Sequence, residues 1–203
     1  MSKPTAPAGV DYAESRQHEL HKTRIVMVDG NLTANTQSTE GGSSARVFNK
    51  GYWGFASAPA MDDATVSRVA AKAVENANTM CRFGDQPKLE MSADAHSGEY
   101  DFNGRPPMSQ KEIVDLLEEL NAHCRKEFPG LKSASFMMMQ ENHDKRLATS
   151  CGSESLQTTN RAAFYIIFAA EDQHGQPVEL METVSNRGSF SDLQLSLDML
   201  TPR

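Results

Sequence analysis

The chain has 203 residues, of which 38% are hydrophobic, and a formal net charge of −7, which is enough for one domain, or two small ones, with a packed core. The negative charge argues against a nucleic-acid-binding surface, because binding phosphate groups requires clustered Lys and Arg. No apolar run reaches the length of a membrane span, and three widely spaced cysteines favour a reducing, cytoplasmic location over a disulfide framework.

The N-terminal part of the chain is rich in predicted strands. Residues 1–8 lack a hydrophobic signal core and are predicted to be a disordered leader. Hairpin turns are predicted at Asp29-Gly30 and Asn49-Lys50-Gly51, because Asn, Asp and Gly tolerate the positive φ angles of tight turns. The alternating residues around them predict a meander of about five antiparallel strands with one polar face, at residues 10–20, 23–28, 32–38, 43–48 and 52–57.

One stretch, from Glu40 to Ser57, contains the only tryptophan of the chain, Trp53. Trp53 and Phe55 are predicted to point to one face of a strand and Gly54 to the other. A glycine between two aromatic residues indicates that another part of the chain approaches this backbone closely. Taken alone, the stretch is interpreted as a well-packed β-hairpin, in which burial of Trp53 would contribute roughly 3 kcal/mol.

Two amphipathic helices are predicted after this meander. Pro59 ends the strand pattern, and Asp62-Asp63 begin a helix whose acidic groups suit its N-terminal dipole. The apolar stripe of this helix is narrow and small, so we expect it to lie close against a sheet. The second helix begins with a capping box, Ser109 to Glu112, and ends at Pro129-Gly130.

Residues 81–108, between the helices, are rich in Gly, Pro, Asp and Ser. A connector of this length is expected to be a surface excursion. Four apolar or aromatic side chains are predicted to hold it against the protein: Phe83, Leu89, Tyr100 and Phe102.

A second run of strands follows from Ser133, and it resembles the first. Residues 162–170 are apolar on both faces, as in a central strand that is covered on both sides. Four residues of the first run recur in the second at one constant offset: His21, Arg24, Gly30 and Thr36 as His143, Arg146, Gly152 and Thr158. The sequence therefore predicts an α+β fold of two similar antiparallel β-meander units, each with an amphipathic helix beside it. The first unit is residues 9–80, the connector 81–108 and the second unit 109–203.

No residue of the chain is predicted to be catalytic, metal-binding or cofactor-binding, and substrate-binding residues stay unassigned. His18-Glu19-Leu20-His21 suggests a zinc signature, but a helical zinc site needs its histidines four positions apart, and on a strand these two face opposite sides. Cys151 lies in a predicted turn without an evident base. The remaining histidines are interpreted as surface residues: His96, His123, His143 and His174. Cys124 is interpreted as a core residue on its helix.

Residues 137–139 are three consecutive methionines. Methionine packs against varied partners, so the run suits an adaptable peptide groove. The alternative interpretation is an ordinary core or interface strand, and the sequence leaves both open.

The motifs Asp11-Tyr12-Ala13-Glu14, Asp29-Gly30, Gly42 to Phe48 and Gly51 to Ser57 resemble, in order and spacing, the N-terminal half of TldD/PmbA proteins. Those proteins are zinc metallopeptidases and their paired non-catalytic subunits, once described as modulators of DNA gyrase. The resemblance extends from about Gly9 to Leu193. It implies an internal repeat with two curved sheets and a helical layer.

The resemblance also implies where the chemistry of such a protein resides. The zinc motif of the family, an HExxxH helix with a later cysteine ligand, belongs to its C-terminal half, and this sequence ends before that region. No metal ligand is therefore carried over to this chain, and zinc is expected in the missing half. Two functions remain open. The first is the N-terminal domain of a peptidase that processes unfolded peptides, which pairs with a catalytic half or a partner subunit as a dimer. The alternative is a non-catalytic binding subunit, either stand-alone or PmbA-like.

Overall fold

The computed structural model describes residues 6–84, 86, 90 and 94–195. The elements within these residues alternate two runs of strands with two helices. Their bounds are β1 (Tyr12–Val28), β2 (Asn31–Asn49), β3 (Tyr52–Ala58), α1 (Asp63–Met80), β4 (Ser97–Phe102), α2 (Gln110–Glu127), β5 (Ser133–Thr149), β6 (Glu154–Glu171) and β7 (Pro177–Arg187).

The strands form one seven-stranded sheet in the order β3-β2-β1-β5-β6-β4, and β7 also pairs with β6. β2 and β3 are antiparallel, as are β6 and β7. In both meanders the first strand is innermost and the third is at an edge, so the predicted repeat and the α+β class are confirmed. The two separate sheets implied by the resemblance are replaced by a single sheet.

The prediction of five strands before Pro59 is wrong, because the structure has three long ones. β1 and β2 each have a neighbouring strand on both sides, and their pairing continues through polar residues that look like breaks in the sequence. Gly41 and Gly42 lie inside β2. A Cβ atom at Gly42 would be 2.5 Å from the Ala58 carbonyl oxygen, so glycine here permits the end of β3 to approach and does not end the strand.

The chain divides into two compact units, and each is discontinuous in sequence. Unit 1 consists of residues 1–20, 39–101 and 143–158, and unit 2 of residues 21–38, 102–142 and 159–203.

The core of unit 1 lies between α1 and strands β1 to β3. Asp62 is the N-cap of α1, and its carboxylate accepts a hydrogen bond from the Thr65 amide at 2.9 Å, as predicted. The buried residues are small: Ala13, Ala45, Val47, Val69, Ala73 and Ala77. Such a core brings the helix backbone close to the strand, and this confirms the predicted close packing.

The core of unit 2 lies between α2 and strands β5 and β6. Ser109 and Glu112 form the predicted capping box at the start of α2. Phe136 of β5 and Phe164 of β6 are fully buried and stack with ring centroids 6.2 Å apart. Cys124 is buried in this core, as predicted, and burial raises the pKa of its thiol.

The predicted turns are confirmed at equivalent places in the two meanders. Gly30 has φ +79° and Gly152 has φ +92°, and each connects the first and second strand of its meander. Lys50 and Gly51 also have positive φ angles, between β2 and β3. These conformations are the ones that tight hairpins require.

The connector contains one strand that the sequence did not predict. Two hydrogen bonds connect the β4 segment with the β6 segment: the His96 amide donates to Ser153 Oγ, and the Thr158 hydroxyl donates to Asp101 Oδ1. The two contacts have the same separation in sequence, 57 residues, so β4 runs parallel to β6. Phe83 is 76% exposed and does not hold the connector down, contrary to the prediction, and Leu89 lies outside the described residues.

No helix in the described part of the chain combines the length and the hydropathy needed to cross a membrane.

Candidate functional site

The sheet of unit 1 packs one face against α1, and the other face carries both exposed aromatics, Trp53 and Phe55, and buried side chains such as Phe48. Successive side chains alternate between the two faces, so the cross-strand pair Val47–Gly54 meets α1, whereas the pairs Phe48–Trp53 and Arg46–Phe55 lie on the other side. We call this second side the open face, and it carries Tyr12, Glu14, Arg16, His18, Arg46, Phe48, Trp53, Phe55, His143 and Lys145.

Trp53 lies on the open face and is 40% exposed. The predicted hairpin is present, but the expectation that it buries Trp53 is wrong. Trp53 contacts Phe48 with ring centroids 5.1 Å apart and Tyr12 edge-on at 6.2 Å. Phe55 beside it is 58% exposed. The two aromatics face solvent because Gly54 between them turns toward the helix.

Glu14 is a buried carboxylate shared by two arginines. Its Oε1 atom is 3.0 Å from Arg46 Nε and 3.2 Å from Arg16 Nη2, and its Oε2 atom accepts a hydrogen bond from the Tyr12 hydroxyl at 3.1 Å. The Arg46 guanidinium also lies 4.6 Å from the Trp53 ring centroid, within cation–π distance. One carboxylate thus pairs with two guanidinium groups, so this cluster has a net positive charge.

An open cavity of about 990 Å³ adjoins this cluster within unit 1. Gly41 and Gly42 of β2 line it, and a Cβ atom at Gly41 would be 2.9 Å from the His18 carbonyl oxygen. The other lining residues are mostly polar or cationic, among them Arg16, Gln17, His18, Glu40, Ser44, Lys145, Arg146, Ser155 and Gln157. Three cations and one carboxylate, Glu40, line the cavity in a chain whose net charge is −7, and Arg16 is also paired with Glu14.

His18 in the cavity wall is stacked against His143. The ring centroids are 5.2 Å apart, and His18 Nε2 and His143 Nδ1 share a hydrogen bond of 3.0 Å. Burial, the charge of Lys145 and the His143 ring all lower the pKa of His18, in that order of size. Burial and the neighbouring Lys145 charge thus both disfavour a proton on His18.

The suggested zinc pair, His18 and His21, lies on one extended strand, three positions apart, so the two side chains point to opposite sides. His18 is moreover engaged by His143. This pair does not fit a zinc ion.

Cys151 is in a turn, as predicted. The groups in contact with its Sγ atom are the Thr149 and Ser153 hydroxyls and the Asp94 carbonyl, and none of them is a general base. The hydrogen bond with Thr149 lowers the pKa of the thiol. Met138 of the methionine run is buried, whereas Met137 and Met139 on the opposite side of β5 are half-buried, so the run is part of a core strand.

Sequence reasoning missed the pairing of His18 with His143 and the cationic cavity. The two histidines are 125 positions apart and meet because β1 and β5 are neighbours in the sheet. The available signal was the alternation of Arg16, His18 and Leu20 along one side of a strand, together with the repeat that matches β1 to β5.

Comparison with known proteins finds one sequence family and several solved structures that this chain resembles. Residues 13–77 match a sequence family described as PmbA/TldA metallopeptidase domain 1. No curated protein matches the sequence.

Solved structures share the fold at low sequence identity. A Thermotoga maritima protein named as a candidate modulator of DNA gyrase is 13% identical with a TM-score of 0.68, and the match covers 93% of this chain and 41% of that one. TldE from Thermococcus kodakarensis is 14% identical with a TM-score of 0.64, and the match covers 94% and 42%. The chain therefore shares the fold of the matched part of those proteins and spans about two fifths of their length.

Proposed function

We propose that this chain, which resembles the N-terminal half of TldD/PmbA proteins and matches their first domain over residues 13–77, is the non-catalytic N-terminal domain of a zinc metallopeptidase of that kind. In this role it covers the active site of a C-terminal catalytic half, helps unfolded peptides to enter and takes part in pairing with a partner subunit in the cytoplasm. The main support for this proposal is the fold match, which covers 93% of this chain but only 41% of the Thermotoga protein.

The zinc ion belongs to the C-terminal half in this proposal. A zinc ion bound there would activate the water that attacks the peptide bond. The residues of this chain would bind the substrate, orient it and exclude bulk water. Neither His18 with His21 nor Cys151 supports a hydrolytic step of its own, for the geometric reasons given above.

Sheet edges support the binding of unfolded peptides. β3 is the outermost strand at one end of the sheet, and β7 pairs with β6 along the opposite side. On β7 three apolar side chains are at least half exposed: Val178, Leu180 and Met181. An unpaired edge offers backbone N–H and C=O groups to an extended chain of any sequence, as a peptidase of broad specificity requires.

The second candidate function is a stand-alone binding or assembly subunit without a catalytic half. β4 favours it, because this strand of the connector covers part of the β6 edge. Each compact unit also has its own hydrophobic core. Both features suit a self-contained protein.

The experiment assays an unfolded peptide substrate with this chain, with the C-terminal half of a TldD/PmbA-like protein encoded with it, and with both. We expect association of the two halves, turnover by the pair and none by this chain alone. Elemental analysis of each purified half after gel filtration locates the zinc.

Turnover by this chain alone that survives strong chelation contradicts the proposal. Failure of the two halves to associate, or the absence of any catalytic half, favours the binding subunit instead.

A further inference from the structure

The cavity of unit 1 differs from the rest of the chain in charge. Arg16, Lys145 and Arg146 line it together with one carboxylate, Glu40, and Glu14 beside it is shared between Arg16 and Arg46, although acidic residues outnumber basic ones in the whole sequence. Such a local reversal of sign attracts a ligand of the opposite charge.

Lys145 is the cation of the cavity most available to a ligand. Its side chain is exposed, and no carboxylate lies within ion-pair distance of it among the residues that the structure describes. Its positive charge also contributes to the lowered pKa of His18, which shows that the charge is felt inside the cavity.

Arg16 is also accessible, at 57% exposure, and it shares its carboxylate, Glu14, with Arg46. A second anion can therefore approach Arg16 from solvent without displacing Glu14.

The walls of the cavity also carry uncharged polar side chains. Ser44 and Ser155 line it, and a hydroxyl group can donate to a carboxylate or accept from a peptide N–H.

The size of the cavity favours a chain segment over a single ion. Its volume of about 990 Å³ is at the upper end of the roughly 300–1,000 Å³ usual for ligand pockets. Trp53 and Phe55 are exposed on the same open face and offer apolar contact to flanking side chains.

We propose that this cavity is a carboxylate-binding subsite for unfolded peptides, with Lys145 and Arg16 as the cationic contacts. The inference rests on the proposed handling of peptides and names the chemistry that the site prefers. The carboxylate belongs either to an acidic side chain or to the C-terminus of the peptide.

The test measures binding of labelled, unstructured peptides to the full chain by fluorescence anisotropy. Four peptides of one length carry a central run of either Glu or Gln and end in either a free or an amidated C-terminus. Lys145→Gln is compared with Lys126→Gln, which removes the same charge from an exposed side chain on α2, outside the cavity.

We expect peptides with a carboxylate to bind more tightly than the amidated Gln peptide. Lys145→Gln should weaken their binding about threefold to fivefold, the effect of one partly exposed charge pair. It should leave the amidated Gln peptide unchanged, and Lys126→Gln should change none of the four. Preference for the Glu peptides assigns the site to acidic side chains, and preference for the free C-terminus assigns it to the chain end.

Equal binding of all four peptides overturns the inference, as does an equal effect of the two lysine substitutions or the absence of any binding. If the catalytic half covers the open face, adding that half abolishes peptide binding, and this result also overturns the inference. The proposed function fails by a different result, namely no turnover by the associated halves.

Discussion

The backbone of Gly54 lies directly against the carbonyl group of Ala73, so that a Cβ atom at position 54 would be 2.1 Å from the Ala73 oxygen and 2.4 Å from the Ala77 nitrogen. β3 and α1 are thus in backbone contact. The same contact directs Trp53 and Phe55 to the open face. One glycine therefore connects the packing of unit 1 with the exposure of its aromatic residues.

Gly54→Ala should lower the free energy of unfolding by about 1–3 kcal/mol, because the added methyl group forces the helix away from the strand. Urea denaturation followed by Trp53 fluorescence measures the change. Gly130→Ala is the control, since nothing lies within 4 Å of a Cβ atom there. Equal stability of the Gly54 and Gly130 variants would contradict the close contact.

Gly30→Val and Gly152→Val should each lower the free energy of unfolding by about 1 kcal/mol or more, because both glycines have positive φ angles that β-branched residues avoid. A larger loss is expected at Gly30, where the added carbon would be 3.0 Å from Asn121 Nδ2, than at Gly152, where the nearest atom is 3.6 Å away. Denaturant midpoints of the two variants show which substitution destabilises the protein more. An unchanged midpoint for either variant would contradict the prediction.

Lys145→Gln should raise the pKa of His18 toward the ordinary histidine value, because it removes a positive charge that disfavours protonation. NMR titration of the imidazole resonances measures the shift. Lys126→Gln, in unit 2, is the matched control and should leave the His18 pKa unchanged. A His18 pKa that is unchanged or lower in the Lys145 variant would contradict the assigned effect of the Lys145 charge.

Asp29→Asn should destabilise the protein at neutral pH by about 1 kcal/mol, the net value of a hydrogen bond. The Asp29 carboxylate accepts hydrogen bonds from the Ala134 amide at 2.8 Å, from the Ser133 hydroxyl at 3.3 Å and from Arg125. The bond from Ala134 is the largest cause that lowers the pKa of Asp29.

The pH dependence of this effect has a definite sign. Because the folded-state pKa is below its unfolded value, the stabilisation is present above the unfolded pKa and is lost as the pH falls through the folded pKa. Denaturation at several pH values should therefore show the difference between the wild type and Asp29→Asn shrinking in acid. A difference that stays constant with pH would contradict the assigned role of the charge.

The sequence by itself determined the local features of this protein. The turns at Gly30, Gly51 and Gly152, the caps Asp62 and Ser109, and the small-residue stripe of α1 were predictable, because φ preferences, capping and helical periodicity act over a few residues. The repeat and the resemblance to TldD/PmbA proteins were also readable, since both rest on the order of short motifs.

Only the tertiary structure decided which residues meet across the sheet. The joining of five predicted strands into three, the parallel β4, the exposure of Trp53 and the pair His18–His143 all depend on the neighbours that each strand finds. Strand pairing brings together residues more than a hundred positions apart, and side-chain alternation constrains the face of a strand but not its partner. The cationic cavity arises from β1, β2, β3, β5 and β6 together, so no single stretch of the sequence contains it.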